Sequence, residues 1–306
     1  LLTVHGVGYR YEPGELSLPE RMEEEESAAT PDLASLSDKD LPLVVGRYRL
    51  ESVLGRGGMG RVYHATLLGP AGFTKAVAFK VIARDSRRSE AASLDFIQEA
   101  RLGGLLKHPN VVDVYDFGEV QGQFFIAMEL VEGRTLAQFM RHQEDLPGSV
   151  LLDIAIQVCD GLAHAHALEV QGERAGLVHR DIKPGNVLLG QEGTVKLMDF
   201  GMAKVHTVDT AQAAAIVVGT PAYMSPEQVG GQLLDQRSDL FSLGIVLSHM
   251  ALGRNVFRAD SLPATFHRIT QVDEVLKSEK ILEEVDAALP GLGRLLTGCL
   301  TLNLTD

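Results

Sequence analysis

The sequence predicts an α+β fold with two lobes, a small β-rich lobe followed by a larger helical lobe, with a cleft between them. Short apolar runs bounded by turn residues dominate the first part, at residues 77–82, 111–114 and 124–130, and such runs are typical of strands. Apolar segments of helix length follow at residues 150–167 and 239–252.

The composition is that of a globular protein. The chain has 306 residues, of which 45% are hydrophobic and 23% charged, enough to bury a sizeable core. No apolar run approaches the roughly 18 residues that span a bilayer. The formal net charge of −13 means that most of the surface repels nucleic acid and anionic membranes. The two cysteines, Cys159 and Cys299, are too few for a metal site, and we expect buried thiols in a reducing compartment.

Changes in composition predict the domain organisation. Residues 12–45 contain four prolines and the acidic run 23–26, which favours a flexible acidic linker. From Gly46 a folded domain is predicted over residues 46–306, with the small lobe at 46–131 and the large lobe at 132–306. Because the first residue is Leu1, we expect this sequence to be part of a longer chain.

A glycine-rich stretch opens the folded domain. Gly55-Arg-Gly57-Gly-Met-Gly60-Arg-Val62 has the spacing G-x-G-x-x-G-x-V, and glycine lets backbone N–H groups approach phosphate oxygens closely. The residues that follow it predict a strand rather than a helix, which argues against a dinucleotide-binding loop. Taken alone, the stretch fits a phosphate loop and a plain hairpin turn equally well.

A lysine ends the next apolar strand, in Val77-Ala78-Phe79-Lys80. Such a lysine commonly extends along apolar surface to reach water. Here it follows the glycine-rich stretch at the distance of a hairpin partner strand, and Glu99 on a predicted helix is its candidate ion-pair partner.

The most specific motif is His179-Arg180-Asp181-Ile182-Lys183-Pro184-Gly185-Asn186. A carboxylate, a lysine and an amide at this spacing supply a proton acceptor, a phosphate counter-charge and a metal ligand. Asp199-Phe200-Gly201 and the segment from Gly219 to Glu227 follow in order. Five motifs in this order leave little room for coincidence.

These motifs resemble those of the eukaryotic-type protein kinase superfamily, and their residues are most similar to those of its bacterial Ser/Thr kinases. The resemblance runs from about Gly46 to the end of the chain. It implies transfer of the γ-phosphate of ATP, bound with Mg²⁺ or alternatively Mn²⁺, to Ser or Thr of other proteins and of the chain itself. Small-molecule kinases usually lack the segment that Pro226 and Glu227 provide.

The resemblance also implies a role for each site residue. The catalytic residues would be Lys80, which pairs with Glu99 and contacts the phosphates, Asp181, which accepts the hydroxyl proton, and Lys183, which neutralises the transferring phosphate. Asn186 and Asp199 would hold the metal, and Asp239 would anchor the catalytic loop. The remaining nucleotide-binding residues would be Gly55, Gly57, Gly60, Val62, Ala78, Met128, Glu129, Val131 and Leu188.

Three positions depart from the family's pattern. Gly103 stands where the family commonly places a bulky apolar residue, which predicts a soft helix, and residues 167–178 contain a surface insertion. In the family an arginine pairs with the residue at Glu227, and we expect this arginine and the final helix to lie beyond the end of this sequence. An alternative reading is therefore a pseudokinase that acts as a nucleotide-responsive scaffold.

The sequence also leads to expectations about phosphorylation, DNA binding and cellular location. Phosphate on Thr207 or Thr210 would pair with Arg180, whereas Thr220 is expected to be a positioning residue. Residues 1–11 resemble the closing hairpin of the winged-helix DNA-binding domain of OmpR-type response regulators, which implies DNA binding only through an upstream domain. We expect a cytoplasmic location, since no signal-peptide pattern is present.

Overall fold

The computed structural model describes residues 32–57, 60–82, 101–120, 122–141, 147–170, 172–174, 176–200 and 221–300, together with the backbone of residues 2–4 and 7–9. The chain divides into two compact units, residues 1–32 and 33–306. In the first unit, β1 (Leu2–Val4) and β2 (Val7–Tyr9) pair as an antiparallel hairpin.

The second unit opens with a six-stranded antiparallel sheet in the spatial order β3-β4-β5-β6-β8-β7. Its strands are β3 (Leu43–Val45), β4 (Tyr48–Gly57), β5 (Gly60–Leu68), β6 (Thr74–Ile82), β7 (Val114–Val120) and β8 (Gln123–Glu129). Strand β6 lies inside the sheet, and its last six residues are all buried. The rings of Tyr48, Phe79 and Phe125 pack together, with the centroids of Phe79 and Phe125 4.7 Å apart. This sheet is the predicted small lobe.

The segment before Gly46 packs on this lobe. Leu33 and Leu36 are buried in the same core as Tyr48 and Phe79. The backbone N–H of Leu33 donates to Oε1 of the buried Gln123 at 2.8 Å. The packed unit therefore begins at Leu33 rather than at the predicted Gly46, because two leucines in a polar segment suffice to fill this part of the core. Residues 12–31 of the predicted linker lie outside the described residues.

Two smaller sheets lie further along the chain. The first has the order β13-β12-β9, and the second is a hairpin of β10 and β11. Their strands are β9 (Gly133–Thr135), β10 (Glu169–Val170), β11 (Glu173–Arg174), β12 (Val187–Gly190) and β13 (Val195–Leu197). The β10–β11 hairpin falls within the predicted insertion.

The larger lobe is helical. Its helices are α1 (Leu136–Met140), α2 (Gly148–His166), α3 (Pro226–Val229), α4 (Gln236–Leu252), α5 (Leu262–Thr270), α6 (Val272–Ser278), α7 (Ile281–Ala288) and α8 (Leu292–Leu300). Helix α4 is buried nearly all round, as expected of a central core helix. It begins after the N-cap Asp235 and ends at Gly253, whose φ of +67° is the left-handed conformation that glycine adopts without strain.

The structure has the bilobal fold that the sequence predicts, with two local corrections. The predicted strand at 111–114 is wrong: Val111 makes only a single bridge, to Leu197, and the strand begins at Val114. Cys159 is exposed rather than buried, because the buried stripe of α2 runs through Leu151, Ile154 and Val158 beside it. In the part of the chain that the structure describes, no helix is long and apolar enough to cross a bilayer.

Candidate active site

The glycine-rich stretch joins two strands, as its sequence context predicts. Gly57 pairs with Gly60 across the β4–β5 hairpin, and Gly55 pairs with Val62. Gly60 has a φ of +140°, a conformation that L side chains rarely adopt. The tip of the loop, residues 58 and 59, lies outside the described residues.

Strand register brings the predicted nucleotide-binding residues of the small lobe together. Val62 is the register partner of Lys80, and Ala78 is the partner of Met128. Ala78 and Met128 are buried in one apolar cluster, against which Val62, Val131 and Leu188 pack. Leu188 lies on β12 of the large lobe, so this cluster spans the cleft. We call this cluster the apolar slot, because its side chains from both lobes offer the apolar contacts that a flat aromatic ring requires.

The segment that joins the lobes is held at Glu129. Its backbone N–H donates to the carbonyl oxygen of Asp113 at 2.8 Å. Its carboxylate lies 3.0 Å from Nζ of Lys196, on the β13 strand of the large lobe. The side chain thus bridges the two lobes beside the apolar slot.

Lys80 and Asp199 form a buried ion pair. Their Nζ and Oδ1 atoms are 2.7 Å apart, and their side chains are only 7% and 13% exposed. Asp199 has a φ of +65°, a strained conformation for a residue with a side chain, and such strain concentrates at functional sites. Glu99, the predicted partner of Lys80, lies outside the described residues.

Residues 179–186, which we call the catalytic loop, bring together a second set of polar side chains. Nζ of Lys183 lies 2.6 Å from Oδ2 of Asp181, and Nδ2 of Asn186 donates to the same oxygen at 2.9 Å. Nδ2 of Asn186 also donates to the backbone oxygen of Asp181 at 2.8 Å. Because both contacts use the amide nitrogen, the carbonyl oxygen Oδ1 of Asn186 points away from Asp181 and is the atom that could bind a metal.

Backbone contacts connect the two polar groups. The N–H of Met198, beside Asp199, donates to the carbonyl oxygen of Asn186 at 3.0 Å. The ring of His179 lies with Nε2 3.0 Å from the carbonyl oxygen of Met198, and its centroid is 4.4 Å from that of Phe200. The motif residues that the sequence separates by up to 119 positions therefore meet in one cleft.

Asp239, on helix α4, holds the backbone of the catalytic loop. Its buried carboxylate accepts hydrogen bonds from the backbone N–H groups of His179 and Arg180, at 2.8 and 2.7 Å. Nε2 of His166 lies 2.7 Å from the same carboxylate. These bonds hold Arg180 at a φ of +68° immediately before Asp181. Sequence reasoning assigned the anchor to Asp239 but missed the contribution of His166.

The segment that begins at Pro221 contacts the same loop. Nε2 of Gln228 donates to the carbonyl oxygen of Arg180 at 2.6 Å. Glu227 is buried and accepts a hydrogen bond from the hydroxyl of Ser238 on α4. Sequence reasoning missed Gln228, because nothing in its neighbourhood distinguishes it from a solvated helix residue. The predicted positions Thr207, Thr210 and Thr220 lie outside the described residues.

The donor set fits a divalent metal that arrives with its nucleotide. In the described residues no group of three or more His, Cys, Asp or Glu side chains could hold a metal ion on its own. Mg²⁺ is commonly held by one or two protein ligands together with substrate phosphates. The carboxylate of Asp199 and Oδ1 of Asn186 match that pattern.

The bilobal fold and this cleft define a protein kinase domain. Residues 48–306 match the family model described as "Protein kinase domain", and the chain belongs to this family. Membership implies the use of ATP and a divalent metal.

Curated bacterial proteins share much of the sequence. The chain is 38% identical to serine/threonine-protein kinase pkn3 of Myxococcus xanthus, over 70% of this chain and 39% of that protein. It is 36% identical to serine/threonine-protein kinase PrkC of Bacillus subtilis, over 71% of this chain and 32% of that protein. The chain therefore spans only about a third to two fifths of the length of these relatives.

A solved structure shares the fold. The kinase domain of Mycobacterium tuberculosis PknI, crystallised as a mutant, is 25% identical with a TM-score of 0.59. The match covers 87% of this chain and 98% of that one.

Proposed function

We propose that this chain is an active protein serine/threonine kinase, which transfers the γ-phosphate of Mg-ATP to Ser and Thr hydroxyls of proteins in bacterial signalling. The observation that carries the proposal is the meeting of two polar pairs in one cleft, Lys80 with Asp199 and Asp181 with Asn186. Phosphoryl transfer needs positioning and neutralised oxygens more than covalent help. Both pairs supply groups of that kind.

Each polar residue then has one task. Lys80 binds the α- and β-phosphates, and Lys183 offsets charge on the transferring phosphate. Asp181 accepts or orients the proton of the substrate hydroxyl, held in place by Asn186 and Lys183. Asp199 and Asn186 would hold Mg²⁺, which supplies charge neutralisation at the β- and γ-phosphates when bound.

The nucleotide base occupies the apolar slot in this proposal. Val62 and Ala78 cover one face of the adenine and Leu188 the other, with Met128 at the back. The backbone of Glu129 and Val131 hydrogen-bonds the edge of the base. Gly55, Gly57 and Gly60 lie over the phosphates.

The test is transfer of radiolabelled phosphate from ATP to a generic basic protein, with Asp181→Asn as the control. Calorimetry of Mg-ATP binding runs in parallel. We expect binding by both proteins and transfer only by the wild type. Magnesium-dependent binding without transfer by the wild type would instead establish a nucleotide-responsive scaffold, and no binding at all would refute both functions.

We also propose that the chain phosphorylates itself on Thr207 or Thr210, because Arg180 precedes the catalytic aspartate and can pair with a phosphate. Mass spectrometry after incubation with Mg-ATP decides this point. An active enzyme whose two threonines stay unmodified would refute it.

The resemblance of residues 1–11 also bears on the location of the protein and on the domains that neighbour this chain. We propose a cytoplasmic protein in which residues 1–11 close a winged-helix DNA-binding domain, an acidic linker follows, and the kinase domain comes after the linker. The phrase from Thr3 to Tyr11 and the hairpin of Leu2–Val4 with Val7–Tyr9 support the DNA-binding part. A gel shift with the full-length protein at low salt tests it, and absence of DNA binding would remove it.

A further inference from the structure

The segment before the small lobe's glycine-rich stretch is held by contacts that the proposed chemistry does not use. We call residues 33–45 the strap. Both backbone groups of Leu33 are bonded: its N–H donates to Oε1 of Gln123 at 2.8 Å, and its carbonyl oxygen accepts from the hydroxyl of Tyr63 on β5. The side chain of Leu36 is buried in the same core. The strap is therefore docked on the six-stranded sheet through its first residues.

After Leu36 the strap forms a tight turn with two carboxylates, which we call the acidic turn. The 3₁₀ turn Asp38–Asp40 begins after Ser37, whose backbone N–H and hydroxyl both donate to Oδ2 of Asp40 at 2.7 Å. The N–H of Asp40 donates back to the carbonyl oxygen of Ser37 at 3.0 Å. These reciprocal bonds fix the conformation of the turn, so that the carboxylate of Asp38 can contact another element.

That element is strand β4, just before the glycine-rich stretch. Oδ1 of Asp38 accepts from the backbone N–H of Val53 at 2.9 Å. Strand β3 pairs only with Tyr48–Leu50, so its ladder ends before Val53. The register of β4 with β5 shifts on both sides of this residue, and such irregularities bend a strand. The carboxylate therefore holds the backbone of β4 at a bend that lies two residues before Gly55.

The acidic turn also lies near the second strand of the glycine-rich hairpin. Hydrogen bonds from Ser37 hold the pKa of Asp40 below its usual value, and the charge of Arg61 acts in the same direction. Arg61 follows Gly60 on β5 and is the register partner of Arg56 on β4. The turn is thus attracted to one strand of the hairpin by charge and bonded directly to the other.

We propose that Asp38 is a positioning residue for the nucleotide: its carboxylate fixes β4 at Val53 and so sets the path of the glycine-rich hairpin over the phosphates. The inference rests on the proposed nucleotide site, in which the base lies in the apolar slot and the hairpin lies over the phosphates. Loss of the Asp38 contact should therefore weaken binding of Mg-ATP and leave binding of adenosine nearly unchanged. A residue that only stabilised the small lobe would affect both ligands alike.

The experiment compares Asp38→Ala with Asp38→Asn by calorimetry, using Mg-ATP and adenosine as ligands. Asp38→Ala removes the acceptor and should raise the Kd of Mg-ATP and the KM for ATP roughly twofold to tenfold, the value of one hydrogen bond. Asp38→Asn keeps an oxygen that can accept from Val53 and should restore most of the affinity. The KM for a peptide substrate should be the same in both variants and the wild type.

A second set of variants tests whether the strap holds the acidic turn in place. Leu36→Ala removes the buried side chain next to the turn and should raise the Kd of Mg-ATP by a similar factor. Combining it with Asp38→Ala should add little, because both release the same contact. Lys39→Ala is the matched control, since it changes an exposed side chain of the same turn without removing the acceptor of the Val53 N–H. If Leu36→Ala does not fold, the two Asp38 variants carry the comparison.

The outcomes separate this inference from the proposed function. A wild type that binds Mg-ATP, with Asp38→Ala and Lys39→Ala binding both ligands equally well, would overturn this inference alone. An equal loss of Mg-ATP and adenosine binding in Asp38→Ala would also overturn it, because the carboxylate would then only stabilise the lobe. A wild type that binds no Mg-ATP would refute the proposed function and this inference with it.

Discussion

The carboxylate of Asp239 lies 2.7 Å from Nε2 of His166 and also accepts two backbone N–H groups of the catalytic loop. Replacing Asp239 by Ala leaves buried donors without an acceptor, and each such donor costs roughly 1–3 kcal/mol. We expect Asp239→Ala to lower the free energy of unfolding by about 2–5 kcal/mol and phosphate transfer at least tenfold. Denaturant unfolding and a transfer assay check this. Asp260→Ala, at an exposed site of the same lobe, should change neither.

The ion pair of Lys80 with Asp199 leads to a prediction about chemistry rather than stability. Lys80→Met keeps the length and the apolar stem of the side chain but removes the charge that would face the phosphates. We expect transfer to fall roughly 100-fold or more, the usual loss when one preorganised cationic contact is removed. Lys75→Met in the same strand β6 is the matched control, because its ammonium instead lies over the exposed ring of Tyr115. Equal activity of both variants would contradict the assigned role.

Gly103 is buried, yet among the residues that the structure describes no atom lies within 4 Å of the position its Cβ would take. A Cβ there therefore meets no clash with them, and removing glycine from a helix also gains roughly 1 kcal/mol. We expect Gly103→Leu to raise both the melting temperature and the basal rate of phosphate transfer. Gly104→Ala changes the neighbouring residue without filling the same space and should leave the rate alone. Unchanged or lower activity of Gly103→Leu would count against a soft helix.

The docking of the segment before Gly46 predicts that stability of the small lobe depends on Leu33. Its side chain is fully buried, and its N–H is held by Gln123. Leu33→Ala should cost about 2–5 kcal/mol in unfolding free energy, as for other buried leucines. Leu54→Ala, at a leucine that is 51% exposed, should cost much less. If the two variants unfold at the same denaturant concentration, residues 33–45 do not belong to the folded unit.

The sequence could predict the site residues that belong to a short motif. The glycine-rich stretch predicted a hairpin whose partner strand carries Lys80, and Lys80 is the register partner of Val62. The spacing within residues 179–186 required Asp181 and Asn186 to share one loop, where they hydrogen-bond. The change from strand-like to helix-like segments predicted the cleft between two lobes.

The remaining contacts could not be predicted, because they join single residues that carry no local signal. His166 and Asp239 are 73 positions apart, and a histidine in an apolar helix looks like an ordinary core residue. The contact of Asp38 with Val53 likewise arises only because the strap docks on the small lobe. Leu33 and Leu36 lie in a polar, acidic segment, so the composition did not indicate that they pack into the core of the small lobe.

The short strand β3 has a consequence for association. It covers only the first three residues of β4, pairing Leu43 with Leu50 and Val45 with Tyr48. An uncovered strand edge is a template on which another chain can add a strand. Because residues from the chain's own N-terminal side occupy Tyr48–Leu50 of this edge, another chain could pair with those three residues only after β3 separates from β4.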